Sequence, residues 1–200
     1  MKRFEKIFGV AFVVALIFQF YLIPGRGLLI TLVLTILACF YYFFGFAFFN
    51  NIKLKNIFSS KSYEGISALR IIGSIATGWI LSIVCIGILF KIMHWTGRIT
   101  LLLAGSIMIF LLTSSVLYRF FQTKSNFYKT IFLRITIIGG LGILLFFTSD
   151  LTLTKIKYRN YPDYVKAYER YLDNPQSIDA KRQYDIEFNR VVLHKEESEN

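Results

Sequence analysis

The sequence predicts an all-α polytopic membrane protein with about five transmembrane helices and a short C-terminal helical hairpin. Five long apolar runs occur in its 200 residues, and a helix of about 18 or more apolar residues can cross a bilayer core of about 30 Å. Hydrophobic residues make up 55% of the chain and mean hydropathy is +0.54, more apolar surface than a soluble core of this size needs. The runs are continuous rather than alternating, which favours helices over barrel strands.

The five apolar runs define the predicted spans. The first, residues 7–23, follows Lys2 and Arg3 as a secretory signal would, but it lacks a small-residue cleavage site before Pro24. We therefore expect a retained helix. The other spans are predicted at residues 28–49, 66–90, 99–117 and 131–147, so that residues 1–149 form a transmembrane helical bundle and residues 150–200 an extramembrane tail.

Positive charge concentrates in alternate connections. Residues 1–149 contain fourteen Lys/Arg and two Asp/Glu, whereas residues 150–200 contain nine Lys/Arg and ten Asp/Glu. The cations of the bundle gather before the first span, between the second and third, and between the fourth and fifth. Because basic connections stay in the cytoplasm, the N-terminus is predicted to be cytoplasmic, and the 91–98 loop is predicted to lie outside. With five spans the tail also lies outside, whereas four spans counted from a cytoplasmic N-terminus would place it in the cytoplasm.

The tail is predicted to contain two short amphipathic helices. One starts near Tyr161-Pro162, and a second starts at Asn174-Pro175, where Pro suits the first helical turn. Their apolar faces are predicted to consist of Tyr164, Tyr168 and Tyr171 in the first helix and Tyr184, Phe188, Val191 and Val192 in the second. Because two such helices are too small for an independent domain, we expect them to fold onto the membrane surface, the polar loop or a partner.

Small residues recur every four positions in the third span, at Ser74, Gly78 and Ser82. Such a stripe lets two helix backbones approach closely in lipid. Two interpretations remain open: a contact with another helix of the same chain, and a dimer interface.

The loop between the third and fourth spans concentrates the polar side chains that could carry chemistry. In one interpretation it is an interfacial anchor, in which Lys91 extends to the membrane surface, Trp95 lies among the headgroups and His94 is solvated. In the other it is a functional site, because the imidazole of His94 changes charge near neutral pH and Lys91 supplies a fixed charge beside a water path. Composition alone leaves both interpretations open.

This loop carries a resemblance. The segment 87–97, Gly-Ile-Leu-Phe-Lys-Ile-Met-His-Trp-Thr-Gly, and more loosely residues 78–121, resemble the transmembrane hairpin of the GldL family, the inner-membrane motor proteins of bacterial gliding and its associated secretion system. Related small bacterial membrane proteins share the signature. The resemblance implies a bacterial inner membrane, a periplasmic loop, and Lys91, His94 and Trp95 as the shared positions.

The chain departs from that family where the motor activity resides. The family's second helix carries a membrane-buried glutamate thought to serve proton flow, whereas residues 99–117 contain no Asp or Glu, and Thr96 replaces the family's usual proline. A proton path through a bilayer normally needs buried ionisable groups. We therefore take from the resemblance only the loop positions Lys91, His94 and Trp95, and we do not predict the motor activity.

Function is predicted from these features together. No phosphate-binding glycine loop, His-Glu-x-x-His or Cys-x-x-Cys occurs, and Cys39 and Cys85 are interpreted as small hydrophobic residues. No catalytic residue, cofactor, metal site or nucleic-acid partner is predicted. We expect a non-enzymatic scaffold or accessory subunit of a bacterial envelope assembly, in the lipid bilayer with a membrane protein partner or a second copy. The alternative is a small channel or transporter with Lys91 and His94 at its periplasmic mouth.

Overall fold

The computed structural model describes the backbone of residues 2–197 and the side chains of residues 3–191, and this part of the chain is helical without strands. Nine α-helices are described, with two short 3-10 turns and one π-helical turn between them. The α-helices are α1 (Lys2–Phe20), α2 (Arg26–Phe49), α3 (Ala68–Ile92), α4 (Arg98–Thr123), α5 (Asn126–Arg134), α6 (Gly140–Phe147), α7 (Asp150–Lys157), α8 (Pro162–Asp173) and α9 (Ile178–Glu197). The 3-10 turns are Leu54–Asn56 and Ser60–Tyr63, and the π-helical turn is Ile135–Gly139.

Four helices are long and apolar enough to cross a membrane. They are α2, α3, α4 and the continuous helix Asn126–Phe147, which joins α5 to α6 through the π-helical turn. The all-helical class is thereby confirmed, and four of the five predicted spans correspond to helices that are long and apolar enough to cross a membrane. The count of five is not confirmed, because every 18-residue stretch of α1 includes the charged residues Arg3, Glu5 and Lys6.

The helices extend beyond the predicted spans where polar residues continue a helical segment. Helix α4 runs to Thr123, past the predicted end at residue 117, and α5 begins at Asn126 rather than at residue 131. The start of α5 is set by Ser125, whose Oγ accepts a hydrogen bond from the Phe127 amide at 3.3 Å. Hydropathy alone marks the apolar part of each helix and leaves these polar turns out.

Glycines bring the helices of the bundle close together. A Cβ built on Gly78 of α3 would lie 2.5 Å from the carbonyl oxygen of Tyr41 and 3.2 Å from the Cα of Gly45, both in α2. On the other side of α3, Val84 contacts two glycines, since a Cβ on Gly105 or Gly142 would lie 3.0 or 2.7 Å from its methyl groups. Van der Waals contact between backbones is the main source of helix association in lipid, so these positions fix the helix neighbours.

The chain divides into two compact units, and the second combines Phe20–Leu22 with the residues from Thr148 onwards. Its core is built from Leu22, Tyr158, Tyr164 and Val191. Tyr164 lies at the centre of a group of aromatic rings whose centroids are 4.6 to 6.4 Å apart, contributed by Tyr158, Tyr168, Tyr184 and Phe188. Burial within this group raises the pKa of the Tyr164 hydroxyl.

Two expectations for the tail need correction. Helix α9 begins at Ile178 rather than at Asn174-Pro175, because the Oγ of Ser177 accepts a hydrogen bond from the Ala180 amide at 3.2 Å and so caps the helix. Helix α7 was not predicted; Ser149 caps it by accepting from the Thr152 amide at 3.0 Å. The predicted tail ends at Asn200, and its residues 198–200, together with the Val192 side chain, lie outside the described residues.

We predict that Gly78→Ala destabilises the bundle by about 1–3 kcal/mol, because the new methyl group must push α2 away from α3. Thermal unfolding in a mild detergent measures the change. Gly73→Ala is the matched control, since it lies in the same helix and a Cβ there meets no atom within 4 Å. An equal loss of stability in both variants would contradict a close α2–α3 contact as the cause.

Candidate functional site

The α3–α4 loop closes helix α3 with a two-bond C-terminal cap. His94 has a φ of 56°, in the left-handed region, and its amide donates to the Lys91 carbonyl at 3.3 Å. The Trp95 amide donates to the Phe90 carbonyl at 2.9 Å, and the Trp95 ring packs edge-on against the Phe90 ring at 5.2 Å. This pattern is a Schellman motif with its accompanying hydrophobic contact. Four residues of the segment 87–97, namely Phe90, Lys91, His94 and Trp95, therefore take part in ending α3.

The side chains of the loop differ in burial. Lys91 is 3% exposed, so its side chain is covered by the rest of the protein, whereas Trp95 is 39% exposed. His94 is half-buried. Arg98 Nη1 lies 3.4 Å from the carbonyl oxygens of His94 and Trp95, where its charge interacts favourably with the end of α3.

The α3–α4 loop also contacts the start of α2. The buried side chain of Gln19, in α1, donates through Nε2 to the Arg26 carbonyl at 3.2 Å and to the Met93 sulfur at 3.8 Å. A Cβ on Gly27 would lie 3.4 Å from the end of the Met93 side chain. These contacts hold the end of α1, the start of α2 and the loop together.

The small-residue stripe lies within the bundle. Ser74 is fully buried, and its hydroxyl accepts a hydrogen bond from Asn50 Nδ2 at 2.9 Å. Gly78 lies against Tyr41 and Gly45 as described above, and Ser82 is 9% exposed. The structure thus places Ser74 and Gly78 in contact with helix α2 of the same chain.

A polar network that the sequence analysis missed joins three helices. Arg134 donates from Nε and Nη2 to the two carboxylate oxygens of Glu5, each at 2.6 Å, and the Tyr41 hydroxyl donates to Glu5 Oε1 at 2.6 Å. The Glu5 and Arg134 side chains are 19% and 13% exposed. A bidentate arginine–carboxylate pair of this kind is among the stronger polar contacts in proteins.

Further contacts hold the Arg134 side chain in place. Its Nη1 donates to the Thr130 carbonyl at 2.8 Å, and its guanidinium lies 4.7 Å from the centre of the Phe48 ring. The π-helical turn begins at the next residue, Ile135, and such turns often occur beside functional positions. The structure pairs Arg134, which lies inside the predicted span 131–147, with Glu5.

The network lies within the apolar part of the bundle. Arg134 is eight residues from the start of α5, and Tyr41 is eight residues from the end of α2. At about 1.5 Å per residue each is about 12 Å along its helix, which is about 9 Å inside a centred hydrocarbon core of about 30 Å. Two opposite charges at this depth are stable only when they are paired.

A cavity of about 400 Å³ lies beside this network. It is lined by α1, α2, α3 and the α5–α6 helix, with Glu5, Lys6 and Arg134 among otherwise mostly apolar side chains. Cys85 also faces it, as a small apolar residue. Glu5 and Arg134 pair with each other, so Lys6 remains as the additional charged residue of a lining that is otherwise mostly apolar.

Among the described residues, no three His, Cys, Asp or Glu side chains lie close enough to hold a metal ion. Cys39 is exposed and Cys85 is buried, and neither forms a disulfide. The side chains gathered in the bundle therefore offer hydrogen bonds, one ion pair and close packing.

Comparison of the chain with family models, with curated proteins and with solved structures gives no match.

We predict that Glu5→Gln and Arg134→Gln each destabilise the bundle by about 3–5 kcal/mol, because each leaves one buried charge without its partner. The double variant should lose less than the sum of the two, since it leaves no charge behind. Thermal unfolding in a mild detergent measures all three. Lys6→Gln, one position from Glu5, is the control for loss of charge near the N-terminus. Additive losses in the double variant would show that the pair is not coupled.

Proposed function

We propose that this chain is a non-enzymatic integral membrane protein that works as a scaffold or accessory subunit of a bacterial envelope assembly. The observation that carries the proposal is the state of Glu5, the single acidic residue in helices α1–α6. Its carboxylate accepts two hydrogen bonds from Arg134 and one from Tyr41. A carboxylate held in this way links three helices and is poorly placed to pass protons, which is the activity that the GldL resemblance would otherwise bring.

The tail supplies a surface for a partner. Three large apolar side chains of its helix α9 are exposed, with Ile178 at 76%, Ile186 at 47% and Phe188 at 39%. Their helix, α9, is otherwise mostly polar. Contact with another protein, or with a second copy of this chain, would remove them from water.

The bacterial inner membrane and the orientation are part of the proposal. The connections at residues 50–67 and 124–125 lie at one end of the four apolar helices and carry Lys53, Lys55, Lys61 and Lys124. The connection at residues 93–97 and the C-terminal end of the last apolar helix, at Phe147, lie at the other end. The positive-inside rule places the first end in the cytoplasm and the tail in the periplasm, whether or not α1 crosses the bilayer.

We predict that the protein purified in mild detergent has a mass above that of one chain, as a homo-oligomer or with a stoichiometric partner. Ile178→Glu should weaken this association about tenfold or more, because burial of an isoleucine contributes about 1.5–3 kcal/mol. Light scattering combined with size-exclusion chromatography measures the mass. Gln176→Glu, which adds the same charge at an exposed position two residues earlier, is the matched control.

A strictly monomeric protein without a partner would contradict the scaffold. Ion or solute flux in liposomes that falls in Lys91→Ala and His94→Ala would also contradict it and would favour the alternative, a small channel or transporter with these two residues at its periplasmic mouth. The burial of Lys91 at 3% exposure is the observation that keeps this alternative worth testing, because ionisable groups buried in membranes commonly mark function.

We predict that reporter fusions after residues 60 and 125 report a cytoplasmic position and fusions after residues 95 and 200 a periplasmic one. The physical reason is the unequal charge of the two sets of connections. A tag at the N-terminus then decides whether α1 crosses. Fusions after residues 60 and 95 that report the same side would overturn the orientation.

A further inference from the structure

A second cavity, of about 250 Å³, opens between α3, α4 and α5 and is lined by two arginines. Arg70 lies near the start of α3 and is half-buried; Arg119 lies near the end of α4 and is exposed. Among the described residues neither arginine forms an ion pair with a carboxylate. The cavity therefore carries two positive charges that this part of the chain does not balance, in contrast to the Glu5–Arg134 pair.

A chain of hydrogen bonds through Asn50 positions the Arg70 side chain. Its Nε donates to Asn50 Oδ1 at 2.9 Å, and Asn50 Nδ2 lies within hydrogen-bond distance of the Phe46 carbonyl and the Ser74 hydroxyl, at 2.8 and 2.9 Å. The guanidinium also lies over the Phe127 ring, 4.3 Å from its centre. One edge of the guanidinium is thus used for its own support, which leaves the Nη groups to meet a ligand.

The other side chains that line the cavity are hydroxyl-bearing residues and apolar residues. The hydroxyls of Thr77 and Ser115 already donate to main-chain carbonyls, at 2.7 and 3.0 Å. Ser67 lies at the N-cap of α3 without a side-chain cap bond, so its hydroxyl can donate into the cavity, next to the positive end of the helix dipole. The apolar part of the wall comes from Leu69, Leu112, Val116 and Ile131.

We propose that this cavity binds a phosphate ester, with Arg70 and Arg119 as its two cationic contacts. Guanidinium groups match phosphate oxygens with paired hydrogen bonds. Arg70, Arg119 and Ser67, the N-cap residue of α3, line the same cavity, whose volume of about 250 Å³ is large enough for a phosphate group. The apolar wall accommodates the hydrocarbon next to it, and basic pockets between transmembrane helices on the cytoplasmic side bind anionic lipid headgroups. A phospholipid headgroup and a soluble phosphate ester share this chemistry.

The test is displacement of a fluorescent phosphatidylglycerol from the purified protein in a zwitterionic detergent at fixed salt. The competitors are phosphatidylglycerol, phosphatidylcholine, glycerol phosphate and inorganic phosphate. Arg119→Gln should weaken phosphatidylglycerol binding about tenfold or more, since a hydrogen bond to a charged group contributes about 1.5–3 kcal/mol. Lys129→Gln removes an equal charge from the same end of the bundle without lining the cavity, and should change binding less than about twofold.

The competitors separate the two sources. Displacement by phosphatidylglycerol alone supports a lipid ligand, and displacement by glycerol phosphate at similar concentration supports a soluble ester. Equal weakening in Arg119→Gln and Lys129→Gln, or equal displacement by phosphatidylcholine, overturns the proposal, because either outcome means diffuse surface charge or general lipid affinity.

Arg70→Lys serves as a second variant, because Arg70 also supports the α2–α3 contact. The lysine retains the positive charge but cannot form the paired hydrogen bonds of a guanidinium group. Phosphatidylglycerol binding should therefore weaken, while the unfolding temperature stays close to that of the parent protein. Unchanged phosphatidylglycerol binding in both Arg70→Lys and Arg119→Gln would show that the arginines are not the ligand contacts.

Discussion

Helices α2 and α3 meet without a side chain between them at Gly45 and Gly78, and the polar structure of the bundle depends on this contact. Because the Tyr41 carbonyl lies against Gly78, the backbone of α2 is fixed at the residue whose hydroxyl reaches Glu5. Further along the same interface, Asn50 meets Ser74 and orients Arg70. A wider separation of these two helices would weaken both polar networks at once.

The Glu5–Arg134 network and the Asn50–Arg70 network satisfy the polar groups of the bundle in different ways. Polar groups inside a bilayer must find partners in the protein, because no water is available there. Glu5 and Arg134 meet this requirement by pairing, with Tyr41 as a third group. Arg70 has hydrogen-bonding and aromatic neighbours but no described carboxylate. The two networks therefore differ in whether the arginine is paired with an acid of the described chain.

The features of the fold that depend on neighbouring residues in the sequence could be predicted. Four spans follow from apolar length, and Gly78 follows from the four-residue spacing of small side chains. The Glu5–Arg134 pair was not predictable, because the two residues are 129 positions apart and each resembles an ordinary flanking charge. The sequence did contain a signal for this ion pair. Glu5 is an acidic residue at the start of one apolar run, Arg134 lies inside another, and opposite charges in apolar segments are expected to pair. The start of α9 was misplaced because Asn174 and Ser177 both suit an N-cap, and the structure uses Ser177.

The sequence of the loop at residues 90–98 has a structural explanation in the way that helix α3 ends. A helix that ends in a Schellman motif needs a residue that tolerates positive φ, followed by an apolar residue that can pack back on the helix. His94 takes the first position and Trp95 the second, with Phe90 beneath it. Asn51 ends helix α2 in the same backbone conformation with a different side chain. The segment Phe90–Trp95 therefore contains the residues that end helix α3. Similarity in such a segment does not by itself indicate the same activity.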